Sequence, residues 1–172
     1  TGCASVPEPK FSDDTLVAGF VSLDYVDRFF SLGPREFKSG LSVTLVAHGS
    51  REVVTARTDE EGFFAFAAGS ERVWTIYGAT HEEKIADVSY ESGGFIRRTF
   101  QLEPGTVTYI GEFKVVFEAP EQVGHSEQAS RSERVWDYEE SVEHDVEVRS
   151  FTSYFQSKFE DSAWLNRPIR EA

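Results

Sequence analysis

The only cysteine of this 172-residue chain, Cys3, stands near its amino-terminal end in the run TGCAS. The stretch that follows, VPEPK, contains two prolines and two charged residues. A buried cysteine lies in an apolar strand or helix, where it packs as a small hydrophobic residue. Cys3 has no such neighbours, and there is no second cysteine for a disulfide or a CxxC pair. We therefore expect its chemistry to be that of a free or a modified thiol.

A second group of residues has metal-ligand character. Glu140 lies four residues before His144, and Glu147 lies three residues after it. On a helix, this spacing would bring all three side chains to one side, where they could hold Zn²⁺ weakly. An exposed acidic helix face has the same pattern, and we expect no bound metal.

Other catalytic patterns are absent from the sequence. It contains no G-x-S-x-G nucleophile motif and no glycine-rich phosphate loop. With 30 Asp and Glu residues, some pair of carboxylates can always be selected for glycoside hydrolysis, so such a pair carries no information. We expect no catalytic residue, no cofactor and no enzymatic activity.

Composition and charge restrict the partners. The formal net charge is −13, whereas binding to nucleic acid requires an excess of Lys and Arg, so we expect no nucleic-acid partner. The hydrophobic fraction of 40% and the 15 phenylalanines are typical of a packed domain. No apolar run reaches the ~20 residues that a membrane-spanning helix needs.

The residues around Cys3 resemble the end of a bacterial lipoprotein signal. In that signal a small residue, here Gly2, precedes the cysteine that becomes the first residue and receives the lipid. The resemblance implies a signal peptide, a covalent lipid on Cys3 and attachment to a membrane of the cell envelope, for which at least two acyl chains are needed. Ala4 follows the cysteine instead of the aspartate of many inner-membrane lipoproteins, which favours the outer membrane. An unmodified thiol on an extended end is the alternative.

The chain divides into four segments by composition. Residues 1–14 are the lipid-anchor site and a flexible tether, because Pro7 and Pro9 favour extended backbone. Residues 15–118 contain short strands separated by turns, and residues 41–47 alternate with a period of two. This pattern predicts a mainly β fold, an antiparallel β-sandwich.

Within that domain, the run from Thr58 to Phe66, TDEEGFFAF, resembles the T-D-x-x-G-x-F-x-F signature of a carboxypeptidase-regulatory-like domain with the transthyretin-like (prealbumin-like) fold. The similarity covers residues 15–117 and extends to Trp74 and Ile76 in the strand after the next glycine turn. The insertion at residues 29–38 and the long C-terminal continuation depart from the family. The resemblance implies a domain without catalytic residues that braces, spreads or attaches.

The last two segments differ from the domain. Residues 119–137 are acidic and polar, which predicts a linker. Residues 138–172 are predicted to contain a C-terminal amphipathic helix from about Tyr138, because apolar residues recur at three- and four-residue steps from Val148. Burying one aromatic ring contributes about 1.5–3 kcal/mol, so this segment must cover its own sandwich or dock on another protein.

Together these features predict a lipid-anchored cell-envelope protein with a non-catalytic structural or protein-binding role. Its partners would be the membrane, through the lipid, and a protein of the envelope. The alternative is a module that binds carbohydrate or another small molecule on an aromatic platform, formed by Phe63, Trp74, Tyr77 and Tyr109. The residues proposed as partner or ligand contacts are Trp74, Tyr77, Tyr109, Phe155, Phe159 and Trp164.

Overall fold

The structure is a computed structural model that describes residues 6–26, 35–69, 71–85, 88–118 and 139–172. The described residues form ten strands, one α-helix and one 3-10 helix. The strands are β1 (Leu16–Val26), β2 (Arg35–Phe37), β3 (Ser42–Ala47), β4 (Val53–Arg57), β5 (Phe63–Ala67), β6 (Val73–Ile85), β7 (Val88–Gln101), β8 (Val107–Glu118), β9 (Glu139–Asp145) and β10 (Ile169–Glu171). The helix α1 spans Val148–Lys158, and the 3-10 helix spans Ala163–Asn166.

Two sheets contain all of these strands. In sheet 1 the long strands β1 and β8 lie side by side and run parallel. The free edge of β1 pairs with β5 along its first half and with β2 along its second half. The free edge of β8 pairs in the same way with β10 and then with β9. Sheet 2 is antiparallel, in the order β4-β3-β6-β7.

The two sheets stack with an apolar core between them, which we call the inner core. It combines Val17, Phe64 and Phe113 of sheet 1 with Leu45 and Ile76 of sheet 2. The predicted alternation in residues 41–47 is confirmed, because every second residue of β3 is buried. The prediction of a mainly β fold with a C-terminal helix is confirmed as well, and the two stacked sheets are compatible with a β-sandwich.

A second core, the outer core, covers the opposite face of sheet 1. Leu16 and Tyr109 of the sheet pack there against Phe151 and Phe155 of α1 and against Trp164 of the 3-10 helix. Phe155 and Trp164 are each 0% exposed. The C-terminal segment therefore packs on its own sheet, which is the first of the two arrangements that its aromatic residues allow.

Strand β8 contributes to both cores because it contains a β-bulge. Ala18 of β1 is opposite Tyr109, but Phe20 is opposite Glu112, so β8 has one extra residue at this point. Without it, Tyr109 and Phe113 would point to the same side, because side chains alternate along a strand. With it, Tyr109 faces the outer core and Phe113 faces the inner core.

The helix begins at Val148 and not near Tyr138, which lies outside the described residues. Residues 139–145 form β9, which pairs with the free edge of β8 and packs Val142 against the inner core. Apolar residues at helical spacing begin only at Val148, so the acidic stretch before it has no buried helix face. The predicted linker, residues 119–137, lies outside the described residues.

Residues 6–14, which belong to the predicted flexible tether, are hydrogen-bonded to the C-terminal segment. The Nε1 of Trp164 donates a hydrogen bond to the carbonyl oxygen of Pro7 at 2.7 Å. The guanidinium of Arg167 donates to the carbonyl oxygens of Phe11, Ser12 and Asp14 at 2.7–2.9 Å. Local composition could not predict this, because both donors lie more than 150 residues away along the chain. Cys3 lies outside the described residues.

The bulge predicts a strong effect of one substitution, Gly111→Ala. Gly111 has a φ of +101°, and a Cβ there would lie 2.5 Å from Nε2 of His144 and 2.7 Å from the carbonyl oxygen of Asp145. We expect backbone strain and displacement of β9 to reduce the free energy of unfolding by about 3 kcal/mol, measured by urea denaturation.

The matched control is Gly40→Ala. Gly40 also has a left-handed φ, +70°, but a Cβ there would have no atom within 4 Å. This variant should lose only about 1 kcal/mol, from strain alone. Equal losses for the two variants would contradict the proposed role of the bulge.

Candidate functional site

The four aromatic residues predicted as a ligand platform lie in three different parts of the fold. Trp74 is in the inner core, with 1% of its surface exposed. Tyr109 is in the outer core, where its ring stacks on Phe151 with 4.1 Å between the ring centres. Tyr77 is 48% exposed on sheet 2. Phe63, considered for the same platform, is buried in the outer core. These four rings therefore do not form one exposed platform.

The remaining aromatic candidates belong to the outer core. Phe155 and Trp164 are fully buried there, and Phe159 is partly buried against the same cluster. Their rings are covered by sheet 1 of the same chain. A partner would have to displace the C-terminal segment to reach them.

The three candidate metal ligands do not share a helix face, because two of them lie on a strand. Glu140 and His144 lie on β9, and Glu147 precedes α1. The backbone N–H of Phe95 donates to the carboxylate of Glu140. The ring of His144 stacks on Phe113 at 4.4 Å, and its Nε2 donates to the carbonyl oxygen of Ile110 at 3.0 Å. The described residues contain no group of three or more His, Cys, Asp or Glu side chains placed to hold a metal ion.

An exposed apolar groove lies on the face of sheet 2 that points away from the inner core. Four large hydrophobic residues of the described chain are exposed, and three of them line this groove: Val53 (61%), Tyr77 (48%) and Phe95 (59%). The groove has a volume of about 420 Å³. We call it the outer groove, and its lining residues are Thr44, Val46, Val53, Tyr77, Gly78, Ala79, Thr80, Gly93, Gly94 and Phe95.

Strand β6 is irregular beside the outer groove. Its register relative to both neighbouring strands shifts between Ile76 and Gly78. Ile76 is buried and Tyr77 is exposed, because successive residues of a strand point to opposite faces. A Cβ on Gly78 would lie 2.1 Å from the carbonyl oxygen of Gly94, so only glycine fits where these two strands approach. The floor therefore has little side-chain bulk between Tyr77 and Phe95.

Phe95 and Val53 were not identified from the sequence. Phe95 follows a pair of glycines that reads as a turn, and the structure instead places those glycines inside β7. The guanidinium of Arg97 lies 4.9 Å from the centre of the Phe95 ring, a cation–π distance.

A partly buried ionic cluster connects α1 to the turn of the TDEEGFFAF run. The carboxylate of Asp59, whose side chain is 5% exposed, accepts hydrogen bonds from the backbone N–H groups of Glu61 and Phe63 at 2.9 and 3.0 Å. The ammonium of Lys158 pairs with Asp59 at 2.5 Å and with Glu61 at 2.9 Å. It also donates to the hydroxyl of Tyr154. The end of the helix is therefore fastened to the β4–β5 turn.

The environment of Lys158 determines its protonation. Burial opposes the charged form, but the hydrogen bonds to Asp59, Tyr154 and Glu61 outweigh it and raise the pKa of Lys158 above its usual 10.5. Burial also raises the pKa of Tyr154 above 10.0; its hydrogen bond with Lys158 acts in the opposite direction. Both groups therefore keep their protons at neutral pH.

No described helix is long and apolar enough to cross a bilayer. Comparisons of the chain with protein-family models, with curated proteins and with solved structures give no match.

Replacing Lys158 by Met should destabilise the protein. The variant leaves the carboxylate of Asp59 buried without its cation, which we expect to cost about 1–3 kcal/mol in urea denaturation at neutral pH. The control is Lys38→Met, since Lys38 pairs with Glu36 at the surface, where the two side chains are 40% and 44% exposed. That variant should lose less than about 0.5 kcal/mol.

The pH dependence gives a second measure of the same cluster. Because the folded-state pKa of Lys158 lies above 10.5, its contribution is complete below pH 10.5 and declines as the pH rises through the folded-state value. The stability difference between the wild type and Lys158→Met should stay constant from neutral pH to that point and shrink above it. A difference that shrinks already near neutral pH would contradict this assignment.

Proposed function

We propose that this chain is a lipid-anchored protein of the bacterial cell envelope, in the outer membrane, and that its folded part is a non-catalytic domain that binds a protein partner. The proposal of an anchor rests on Cys3 in the run TGCAS. The proposal of a prealbumin-like sandwich rests on the TDEEGFFAF run, in which Asp59 receives two backbone N–H bonds that close the turn before β5.

One observation supports the binding role most directly: the amino-terminal segment and the outer groove lie on opposite sides of the molecule. Val6 packs against the outer core, and Pro7 is bound to Trp164 of the C-terminal segment. The groove lies beyond sheet 2, on the far side of the inner core. Cys3 is three residues before Val6, a distance of at most about 10 Å along the chain. A lipid on Cys3 would therefore hold one side of the domain near the bilayer and leave the groove accessible.

The chemistry of the groove indicates the type of partner. None of the described residues that line it is charged, although the chain has a net charge of −13. An apolar occupant fits this lining best, and its affinity would come from burying apolar surface, at roughly 25 cal/mol per Å². We propose a protein segment with aliphatic side chains, held between Tyr77 and Phe95.

The anchor is tested by expressing the full precursor in a bacterium and partitioning it between detergent and water. The wild-type protein should enter the detergent phase and have the added mass of the lipid, whereas Cys3→Ala should stay in the aqueous phase. Fractionation of the envelope then tests the outer-membrane location. Wild-type protein of unmodified mass in the aqueous phase would overturn the proposal.

The groove is tested by photo-crosslinking in intact cells from a reactive residue at position 46. A specific adduct should form with the wild type and disappear with Tyr77→Ala/Phe95→Ala. The control Phe11→Ala removes a ring that is 69% exposed and, among the described residues, lies outside the groove lining; it should leave the adduct unchanged. An adduct that survives the double substitution would show that the groove is not the binding surface.

A carbohydrate is the second candidate occupant. Tyr77 and Phe95 expose aromatic rings on which a sugar can stack, and Thr44 and Thr80 contribute hydroxyl groups to the lining. Thermal-shift assays against a panel of glycans test this directly. Stabilisation that is lost with Tyr77→Ala/Phe95→Ala, without a protein adduct, would favour the carbohydrate.

A further inference from the structure

A second cavity lies between α1 and sheet 1 and differs from the outer groove in its chemistry. Its volume is about 390 Å³, and its apolar surface comes from the rings of Phe20, Tyr109, Phe151 and Tyr154. These rings pack against one another in pairs: the ring centres of Phe20 and Tyr154 are 5.0 Å apart, and those of Tyr109 and Phe151 are 4.1 Å apart. We call this cavity the acidic cleft.

The rest of the cleft is dominated by carboxylates. Glu61, Glu112, Asp145 and Glu147 all line it. Glu61 pairs with Lys158, but within the residues that the structure describes, Glu112, Asp145 and Glu147 form no ion pair. Glu61 lies in the β4–β5 turn, Glu112 lies on β8, and Asp145 and Glu147 lie at the junction of β9 and α1, so the fold assembles the carboxylates from three parts of the chain.

The largely buried side chain of Tyr109 also lines the cleft. Tyr109 is only 4% exposed, and its hydroxyl forms no hydrogen bond with any described residue. Burial, reinforced by Glu112, Asp145 and Glu147, raises the pKa of Tyr109 to about 12. The phenol is therefore neutral at physiological pH, and the three carboxylates produce a negative potential around it. Its hydroxyl is therefore open to a hydrogen bond with a ligand or water in the cleft.

The protein already holds one ammonium group in this way at the edge of the cleft. Nζ of Lys158 lies 4.9 Å from the ring centre of Tyr154 and 2.9 Å from the carboxylate of Glu61. Aromatic faces and carboxylates attract an ammonium group together. Tyr154 and Glu61 belong to the lining of the cleft, so the same combination continues into it.

We propose that the acidic cleft binds a linear aliphatic polyamine. The methylene segments would lie on the rings of Phe20 and Tyr154, and the ammonium groups would pair with Glu112, Asp145 and Glu147. Separated ammonium groups fit better than a single metal ion, because the described residues contain no cluster of three metal-ligating side chains. This proposal does not depend on the lipid anchor or on the outer groove.

Isothermal titration calorimetry of the folded chain with spermidine tests the proposal. We expect saturable binding that weakens with salt, and a loss of at least about tenfold in affinity for Glu112→Gln/Glu147→Gln. The control Glu52→Gln/Glu103→Gln changes the net charge equally at two exposed residues outside the cleft and should bind as the wild type does. In the wild type, spermidine should also shift the backbone amide resonances of α1 and β8, which gives a readout that needs no variant.

Three results would overturn the proposal. The first is the absence of saturable binding by the wild type. The second is an equal loss of affinity in both double variants, which would indicate attraction by net charge alone. The third is displacement of spermidine by Mg²⁺ at matched ionic strength, which would indicate an ordinary counterion effect.

Discussion

The arrangement of this protein depends on one extra residue in β8. The strand lies at the centre of sheet 1, and its two halves must face different cores: Tyr109 the outer core and Phe113 the inner core. Side chains alternate with a period of two, so only a bulge can change the face that odd-numbered residues occupy. The left-handed φ of Gly111 makes that bulge possible, and His144 and Asp145 of β9 pack where its side chain would be.

Because of this bulge, the C-terminal segment packs on sheet 1 as part of the same domain. Because the first half of β8 turns Val107 and Tyr109 outward, sheet 1 exposes an apolar face that Phe151, Phe155 and Trp164 cover. The same segment then binds the chain start through Trp164 and Arg167 and binds the β4–β5 turn through Lys158. One stretch of about thirty residues therefore connects three distant parts of the sequence, which is typical of contacts that local patterns do not encode.

The two cavities follow from this layered arrangement and have opposite chemistry. The outer groove lies on the exposed face of sheet 2, and none of the described residues that line it is charged. The acidic cleft lies where α1 meets sheet 1, at the junction that the bulge creates, and four carboxylates line it. A neutral apolar occupant suits the first, and a cation suits the second. The two sites therefore need not compete for one ligand.

The sequence by itself determined the local features of the fold. Alternation with a period of two predicted β3, and helical spacing predicted the apolar face of α1 from Val148 onward. The TDEEGFFAF run predicted a turn followed by a strand, and Asp59 closes that turn. Each of these depends on residues a few positions apart, whose periodicity or hydrogen bonding acts within one element.

Only the tertiary structure decided which faces are covered and which side chains meet. Residues 139–145 are a strand because the edge of β8 needs a hydrogen-bonding partner, although their acidic composition resembles a helix start. The sequence does not distinguish Tyr77 from Trp74 and Tyr109 as a surface residue. Only the packing of the sheets buries the other two and leaves Tyr77 exposed. The carboxylates of the acidic cleft come from three separate parts of the chain. Which side chains are buried, and which of them meet, depends on contacts between distant parts of the chain. A one-residue bulge is enough to change the sheet face on which a side chain lies.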